Sequence, residues 1–197
     1  MSHSTLHSNG WISLPVDIRF EEHAKRIRAE RDALYGNIFQ EKDTDLRWVG
    51  DLGEMVFKSW LSHQKIQDFQ WIVDEASGKP DFIIAGRHKV GIKTVKRKDD
   101  PKPSYAAGMT ARHTAEPVDH FFFMTYVHTE RRMWMIGGIS REAFIKGSTH
   151  YKAGDYVHPH YQIRAGHEIN NIDMKALTAP GAWLNSLYQI DANETAA

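Results

Sequence analysis

The 197-residue chain contains no cysteine. Disulfide bonds, thiolate zinc sites and cysteine nucleophiles are therefore excluded. Long hydrophobic runs are lacking too: the longest is a few residues around FFFM, so no membrane partner is expected. The first ten residues, MSHSTLHSNG, do not have the basic-then-apolar pattern of a secretory signal. Together these absences favour a cytoplasmic protein, in a bacterium, a phage or a similar setting.

An excess of charge of either sign is also lacking, because 25 basic residues balance 25 acidic ones. The chain as a whole is therefore not attracted to nucleic acid, and such a partner would have to bind at a local patch. The segment RHKVGIKTVKRKDDPK, residues 87–102, is one such patch, with seven lysines and arginines against two aspartates. Taken alone, a run of charges more often forms a solvated face.

Two helices are predicted in the N-terminal third. Good helix formers and an interrupted apolar stripe predict the first helix over residues 16–39. The second helix is predicted over residues 44–64, with Thr44 or Asp45 as its N-cap. Its apolar residues recur along one face, at Val49, Leu52, Val56 and Trp60.

Strands dominate the middle of the chain. Three short ones are predicted at FQWIVD, DFIIA and KVGIKTV, followed by SYAAGMTARHT, which reads as a short helix or a loop. Two further strands are predicted at DHFFFMTYV and RRMWMIGGI. This order indicates a mixed α/β fold with one central sheet flanked by helices. We predict a single domain at residues 16–190, between flexible ends at 1–15 and 191–197.

The segment KPDFIIAGRHKVGIKTVK, residues 79–96, has the clearest chemical pattern. It reads as two strands joined by a turn at Gly86, which places Asp81 and Lys93 on neighbouring strands. Hydrolysis of a phosphodiester with Mg²⁺ requires carboxylates that hold the ion and a cation near the attacking water or the phosphate. Because Mg²⁺ takes only one or two protein carboxylates, a sparse set of ligands is sufficient. Glu54, on the preceding helix, is a further candidate.

These features resemble the PD-(D/E)XK nuclease superfamily, which has the restriction-endonuclease-like fold. The resemblance covers roughly residues 45–144 and consists of GE on a helix, KPDF, GIKTVKRK, VDHFFFMTYV and MWMIGGISREAF. Spacing and element order carry it rather than extended identity. It implies a mixed sheet with helices on both sides and Mg²⁺-dependent hydrolysis of DNA, with Mn²⁺ as a substitute ion. Many restriction-type members pair up, so the resemblance leaves a homodimer open.

The resemblance also implies roles for individual residues. Asp81 matches the metal-binding aspartate of the motif. Lys93 matches the motif lysine, which orients or activates the water. Glu54 matches an acid that many members carry on a helix, and the backbone carbonyl of Ile92 is a further candidate metal ligand. Catalysis is thus expected from Asp81, Lys93 and Glu54, with Mg²⁺ held by the two acids and Ile92.

Gly91 is where the chain departs from the motif, because the second acid of the motif is expected there. Glu54 could compensate for it, together with Asp51 one turn away. Alternatively the protein no longer cuts, and is an inactive nuclease-fold protein that binds nucleic acid or a protein partner. A Gly91→Glu variant that gains activity would show that the gap matters. Asp51 is otherwise expected to pair with Arg47 on the exposed face of the helix.

Each motif residue also has a purely structural interpretation. Asp81 could cap backbone amides at the start of a strand. Lys93 could lie along the surface of an edge strand with its charge in water. Glu54 could form a helix salt bridge with Lys58.

Contacts with DNA are expected from basic residues that follow the motif lysine. The candidates for the DNA backbone are Lys96, Arg97, Lys98, Arg112 and His113, and Tyr105 is a candidate for stacking on a base. A different possibility is a zinc site in the loop HPHYQIRAGH, which carries His158, His160 and His167. The H-x-H pair His158 and His160 can bind zinc, but a third and a fourth ligand are not recognisable in the sequence, and loop histidines are more often surface residues.

Overall fold

The computed structural model describes residues 4–36, 46–73 and 79–189. These ranges contain twelve strands: β1 (Thr5–Leu6), β2 (Ile12–Pro15), β3 (Phe69–Trp71), β4 (Phe82–Ile84), β5 (His88–Arg97), β6 (Ala106–Thr110), β7 (His120–Val127), β8 (Arg132–Ser140), β9 (Thr149–Tyr151), β10 (Tyr156–His158), β11 (Tyr161–Gln162) and β12 (Ile169–Asp173). Four α-helices accompany them: α1 (Ile18–Tyr35), α2 (Trp48–His63), α3 (Arg141–Gly147) and α4 (Pro180–Tyr188). Short 3₁₀ helices follow β6 and β12, at Ala111–Ala115 and Met174–Ala176.

The central sheet has seven strands in the order β1-β2-β8-β7-β5-β4-β3. Strands β5 and β7 are parallel, with Lys93 opposite Phe123, and the other neighbours are antiparallel. A parallel pair requires a crossover. Here it runs through β6 and the 3₁₀ helix at Ala111–Ala115 rather than through an α-helix. The segment predicted as either a short helix or a loop is therefore a strand, Ala106–Thr110, followed by a 3₁₀ helix.

Both faces of the sheet are covered. Helices α1, α2 and α4 pack on one face, while α3 and the three-stranded sheet β6-β12-β9 pack on the other. Strand β7 contributes to both cores, because Phe122 and Met124 point to the first face and Phe121 and Phe123 to the second. Burial on both faces accounts for the continuous apolar run FFFM. The predicted mixed α/β fold with a sheet flanked by helices is confirmed.

For helices α1 and α2, the predicted positions agree with the structure better than the predicted ends do. Helix α1 begins at Ile18, where the Asp17 side chain accepts a hydrogen bond from the backbone N–H of Arg19. Helix α2 begins at Trp48 and has no side-chain cap at Arg47. The caps predicted at Thr44 and Asp45, and the predicted end of α1 at residues 37–39, lie outside the described residues.

Part of the N-terminal segment belongs to the central sheet. Residues Ile12–Pro15 pair with β8, and the Trp11 side chain is buried in the second core. The prediction of a flexible segment at 1–15 therefore does not hold for this part of it, because apolar residues there cover a strand edge. The flexible C-terminus predicted at 191–197 lies outside the described residues.

Gly53 allows α2 to lie directly against β5. A Cβ atom at Gly53 would be 1.9 Å from the hydroxyl oxygen of Thr94 and 2.9 Å from its Cβ atom. Such distances are not compatible with a side chain, so the close approach requires glycine. The next residue, Glu54, is thereby placed beside the strands that carry the motif. No helix in the described ranges is long and apolar enough to cross a membrane.

Candidate functional site

Asp81 is fixed between two strands at the start of β4. Its backbone N–H donates to the carbonyl oxygen of Val90, and its carbonyl oxygen accepts from the N–H of Ile72. Its side-chain Oδ2 accepts a 2.6 Å hydrogen bond from the backbone N–H of Ile92. The other carboxylate oxygen, Oδ1, accepts no hydrogen bond from the described residues. Asp81 thus caps a strand amide, as its structural interpretation predicted, and still has one oxygen available for a ligand.

Lys93 lies in the middle of the sheet, because β5 is flanked by β4 and β7. Only 10% of its side chain is exposed, and its Nζ atom lies 2.8 Å from Oε2 of Glu116 and 3.3 Å from Nδ1 of His113. The interpretation of Lys93 as a surface lysine on an edge strand is therefore wrong. A lysine this enclosed is held in place by a specific partner.

Glu116 is a member of this cluster that the sequence did not reveal. It directly follows the 3₁₀ helix at Ala111–Ala115, and its Oε1 atom forms a short hydrogen bond with Nδ1 of His113. Burial opposes ionisation of Glu116, but the hydrogen bond from His113 and the charge of Lys93 outweigh it and hold its pKa below the ordinary value. Glu116 is therefore a carboxylate at neutral pH. The only hint in the sequence was the neighbouring Arg112–His113 pair.

Gly91 is adjacent to this carboxylate. An ideal Cβ atom at Gly91 would lie 3.6 Å from Oε2 of Glu116, 3.6 Å from Cε of Lys93 and 3.4 Å from a ring carbon of Phe121. These are ordinary contact distances, so backbone crowding does not require a glycine. The space beside Gly91 is instead shared by the side chains of Glu116 and Lys93.

Glu54 is buried and engaged by two neighbours. Arg31 donates to Oε1 at 3.0 Å and to Oε2 at 3.1 Å, and the Trp71 indole N–H donates to Oε2 at 2.9 Å. The helix salt bridge predicted with Lys58 does not form, because the ammonium of Lys58 lies over the Trp71 ring instead. Arg31 therefore fixes the orientation of Glu54 beside β3.

Asp51 lies in the same network. Its side chain is fully buried and accepts 2.7 Å hydrogen bonds from Arg28 and Arg31. The prediction that Asp51 pairs with Arg47 on an exposed helix face is wrong, because Arg47 pairs with Asp32 of α1. The network joins α1 to α2 through a fully buried Asp51 and the partly exposed arginines Arg28 and Arg31.

The electrostatic environment of Asp81 is unfavourable for its own ionisation. Burial raises its pKa to about 7, and the negative charge of Glu54 and, to a smaller extent, that of Glu116 act in the same direction. The charge of Lys93 and the hydrogen bond from Ile92 offset only part of this effect. Asp81 is thus a carboxyl group placed among other carboxylates, with one lysine nearby.

The fit of this site to Mg²⁺ depends on how many oxygens are free. The described part of the chain contains no group of three His, Cys, Asp or Glu residues placed to hold a metal ion. Mg²⁺ needs only one or two carboxylates and otherwise keeps its waters. Asp81 meets this requirement, because no described residue donates to its Oδ1 and its crowding with Glu54 and Glu116 would be relieved by a cation. The oxygens of Glu54 are occupied by Arg31 and Trp71.

Of the residues predicted to contact DNA, Lys96, Lys98 and Arg112 are exposed. Arg97 is half-buried: its guanidinium lies 4.7 Å from the centre of the Tyr105 ring, and it donates to the carbonyl oxygen of Ala106. Arg97 and Tyr105 therefore contact each other within the fold.

His113, the remaining candidate for DNA contact, is bonded to Glu116. The histidines of the predicted zinc loop lie elsewhere, with His158 and His160 exposed at the β10–β11 hairpin and their ring centres 6.5 Å apart.

No protein-family model matches the chain, and a search of curated proteins found no match either.

Proposed function

We propose that the protein is a Mg²⁺-dependent nuclease that hydrolyses DNA phosphodiester bonds with a site of PD-(D/E)XK type. The observation that carries this proposal is the placement of Asp81, which a backbone N–H holds beside Lys93 while its Oδ1 accepts no hydrogen bond within the described ranges. Its pKa of about 7 results from burial and from nearby carboxylates. Carboxyl groups whose pKa is raised by burial and by neighbouring charges are concentrated at functional sites, where the shifted pKa serves catalysis or binding.

The topology supports a restriction-endonuclease-like fold. Helix α2 is followed by the antiparallel strands β3, β4 and β5, and then by β7, which is parallel to β5. The candidate residues fall on α2, before β4 and in β5, as the resemblance implies. The crossover through β6 is a departure, because an α-helix is expected in that position.

In the proposed reaction the metal ion would be held by Asp81 through its free oxygen, together with one further carboxylate and water. A bound Mg²⁺ polarises the phosphoryl oxygens and lowers the pKa of its water, and Mn²⁺ supplies the same chemistry. Lys93 would hold the attacking water or the scissile phosphate through its ammonium group. Glu54, oriented by Arg31, would add negative charge beside Asp81 and so strengthen its affinity for a cation.

DNA would be bound by the basic residues around this site. Lys96 and Lys98 are exposed along β5 and beyond it, and Arg112 is exposed next to His113, which contacts Lys93. Since the chain has no net charge, binding would depend on these local contacts and weaken steeply with salt.

The test is cleavage of supercoiled plasmid DNA with Mg²⁺ or Mn²⁺ and with EDTA. We expect metal-dependent cleavage by the wild type that is lost in Asp81→Ala and in Lys93→Ala. Lys175→Ala, which changes an exposed lysine in the 3₁₀ helix after β12, is the matched control and should cut normally. Retained cleavage in both Asp81→Ala and Lys93→Ala would contradict the proposal.

The second candidate function is an inactive nuclease-fold protein that binds nucleic acid or a protein partner. Two observations favour it: Gly91 offers no ligand, and the oxygens of Glu54 are occupied by Arg31 and Trp71. It predicts salt-dependent DNA binding without cleavage with either metal ion. An absence of DNA binding at low salt would point to a protein partner instead.

A further inference from the structure

Two acids compete for the place of the carboxylate that β5 lacks at Gly91. Both oxygens of Glu54 are held by Arg31, a residue of α1, and both oxygens of Glu116 are likewise engaged, by Lys93 and His113. Lys93 is the lysine two residues after Gly91 in the same strand. The two acids therefore differ in whether they reach the gap.

The position of the Glu116 carboxylate matches what a side chain at Gly91 would provide. Gly91 and Lys93 project from the same face of β5. An ideal Cβ atom at Gly91 lies 3.6 Å from Oε2 of Glu116, which is comparable with the reach of a glutamate side chain from its own Cβ atom. The negative charge of Glu116 also acts on Asp81. A carboxylate thus lies beside the lysine although the strand carries none.

We propose that Glu116, delivered by the crossover between β5 and β7, replaces the second acid of the motif and binds the catalytic metal ion together with Asp81. This inference rests on the proposed nuclease function. It identifies the protein's acid pair as Asp81 and Glu116, with Glu54 as a positioning residue. The absence of a side chain at Gly91 then leaves room for the Glu116 carboxylate.

The crossover is built to hold Glu116 at this position. The 3₁₀ helix before it is anchored by a hydrogen bond from Ala111 N–H to the carbonyl oxygen of Glu168, and by Arg141, which donates to the carbonyl oxygen of Thr114. His113 bonds the second Glu116 oxygen, Oε1. His113 is therefore a positioning residue for Glu116 rather than a contact for DNA.

The direct test is Mn²⁺ binding to the intact protein, measured by calorimetry and by the loss of the free-ion electron paramagnetic resonance signal. We expect Glu116→Gln to weaken Mn²⁺ binding by about tenfold or more, since a ligand is lost. Glu168→Gln is the matched control, because Glu168 is an exposed acid that also bonds a histidine, His150. The affinity of Glu168→Gln should equal that of the wild type.

A relocation variant makes the test specific. In Gly91→Glu combined with Glu116→Ala, the acid returns to β5, and we expect Mn²⁺ affinity to recover to within a few-fold of the wild type. Glu116→Ala alone should stay weak. If Glu116→Gln proves to melt below the assay temperature, Glu116→Asp replaces it, with an expected partial loss of affinity.

The outcomes separate this inference from the nuclease proposal. If Asp81→Asn abolishes Mn²⁺ binding while Glu116→Gln and Glu116→Ala bind as the wild type does, Glu116 is not a ligand and the nuclease proposal stands. If the relocation variant stays as weak as Glu116→Ala, the replacement is likewise refuted. If the folded wild type binds no Mn²⁺ at millimolar concentration, both proposals fail.

Discussion

The ammonium of Lys93 lies 2.8 Å from the carboxylate of Glu116, and both side chains are almost enclosed, with exposed fractions of 10% and 13%. The two residues are 23 positions apart and come from β5 and from the crossover that follows it. They meet directly beside Gly91, where the strand offers no side chain. The lysine and the carboxylate of the candidate site are therefore assembled across two segments of the chain.

Breaking this ion pair from one side should be costly. Lys93→Met leaves the Glu116 carboxylate enclosed, with His113 as its remaining partner among the described residues, so we expect a loss of about 3 kcal/mol in the free energy of unfolding. Lys93→Met combined with Glu116→Gln should recover a large part of that loss. Urea denaturation of the wild type, Lys93→Met, Glu116→Gln and the double variant measures this coupling. If the losses in the free energy of unfolding simply add, the two residues are not coupled.

Asp81→Asn should stabilise the protein in a pH-dependent way. Because the pKa of Asp81 rises from 3.8 to about 7 on folding, its ionised form opposes folding. The contribution of Asp81 to stability therefore falls as the pH rises from about 4 to about 7. Asparagine still accepts the hydrogen bond from Ile92 but does not ionise. We expect little change in melting temperature near pH 4 and a gain of roughly 3 °C or more at pH 8.

Thermal denaturation of the wild type and Asp81→Asn across this pH range checks the prediction. If Asp81 served only to cap the Ile92 amide, asparagine would be neutral or destabilising at every pH. That result would remove the electrostatic basis for placing a cation at Asp81.

Gly91→Glu alone should not produce a better enzyme. The new carboxylate would enter the space that the Glu116 carboxylate already occupies, and the two like charges would repel each other. We therefore expect Gly91→Glu to melt at a lower temperature than Gly91→Gln, which has the same shape without the charge. Adding Glu116→Gln to Gly91→Glu should remove the difference.

Gly53 and Gly50 offer a matched pair within α2. Alanine at either position improves helix propensity by about 1 kcal/mol. At Gly50 no atom of the described residues outside the helix backbone lies within 4 Å of the added Cβ atom, so we expect Gly50→Ala to be stabilising. At Gly53 the Cβ atom would collide with Thr94, so we expect Gly53→Ala to be destabilising by about 1–3 kcal/mol. Urea denaturation measures both, and a stabilised Gly53→Ala would disprove the close approach of α2 to β5.

Local patterns in the sequence predicted five strands of the central sheet, β3, β4, β5, β7 and β8, and the helices α1 and α2. Alternation and continuous apolar runs identified the strands, because residues buried on one or both faces produce those patterns without further information. The strand β6 in the crossover was not predicted, because AAGMT is weakly apolar and its partner β12 lies far along the chain. The N-terminal strand was missed for the same reason, because its partner β8 lies far along the chain.

The partners of the charged residues were the least predictable part of the site. Sequence neighbours suggested that Glu54 pairs with Lys58, yet Arg31, 23 positions away on α1, binds it instead. An acid at residue 116 carries no motif signal, and only the path of the β5–β7 crossover brings it to Gly91. Asp81 and Lys93 were predictable as a pair, because a short hairpin fixes their spacing whatever the rest of the chain does.

The most direct measurement of the central claim is DNA cleavage as a function of Mg²⁺ or Mn²⁺ concentration, with the wild type and Asp81→Asn side by side. A nuclease that holds its ion at Asp81 should cut only with added metal, and the asparagine variant should remain folded but inactive. Folded wild-type protein that binds DNA and cuts it with neither metal, or an asparagine variant that cuts as well as the wild type, would contradict the claim.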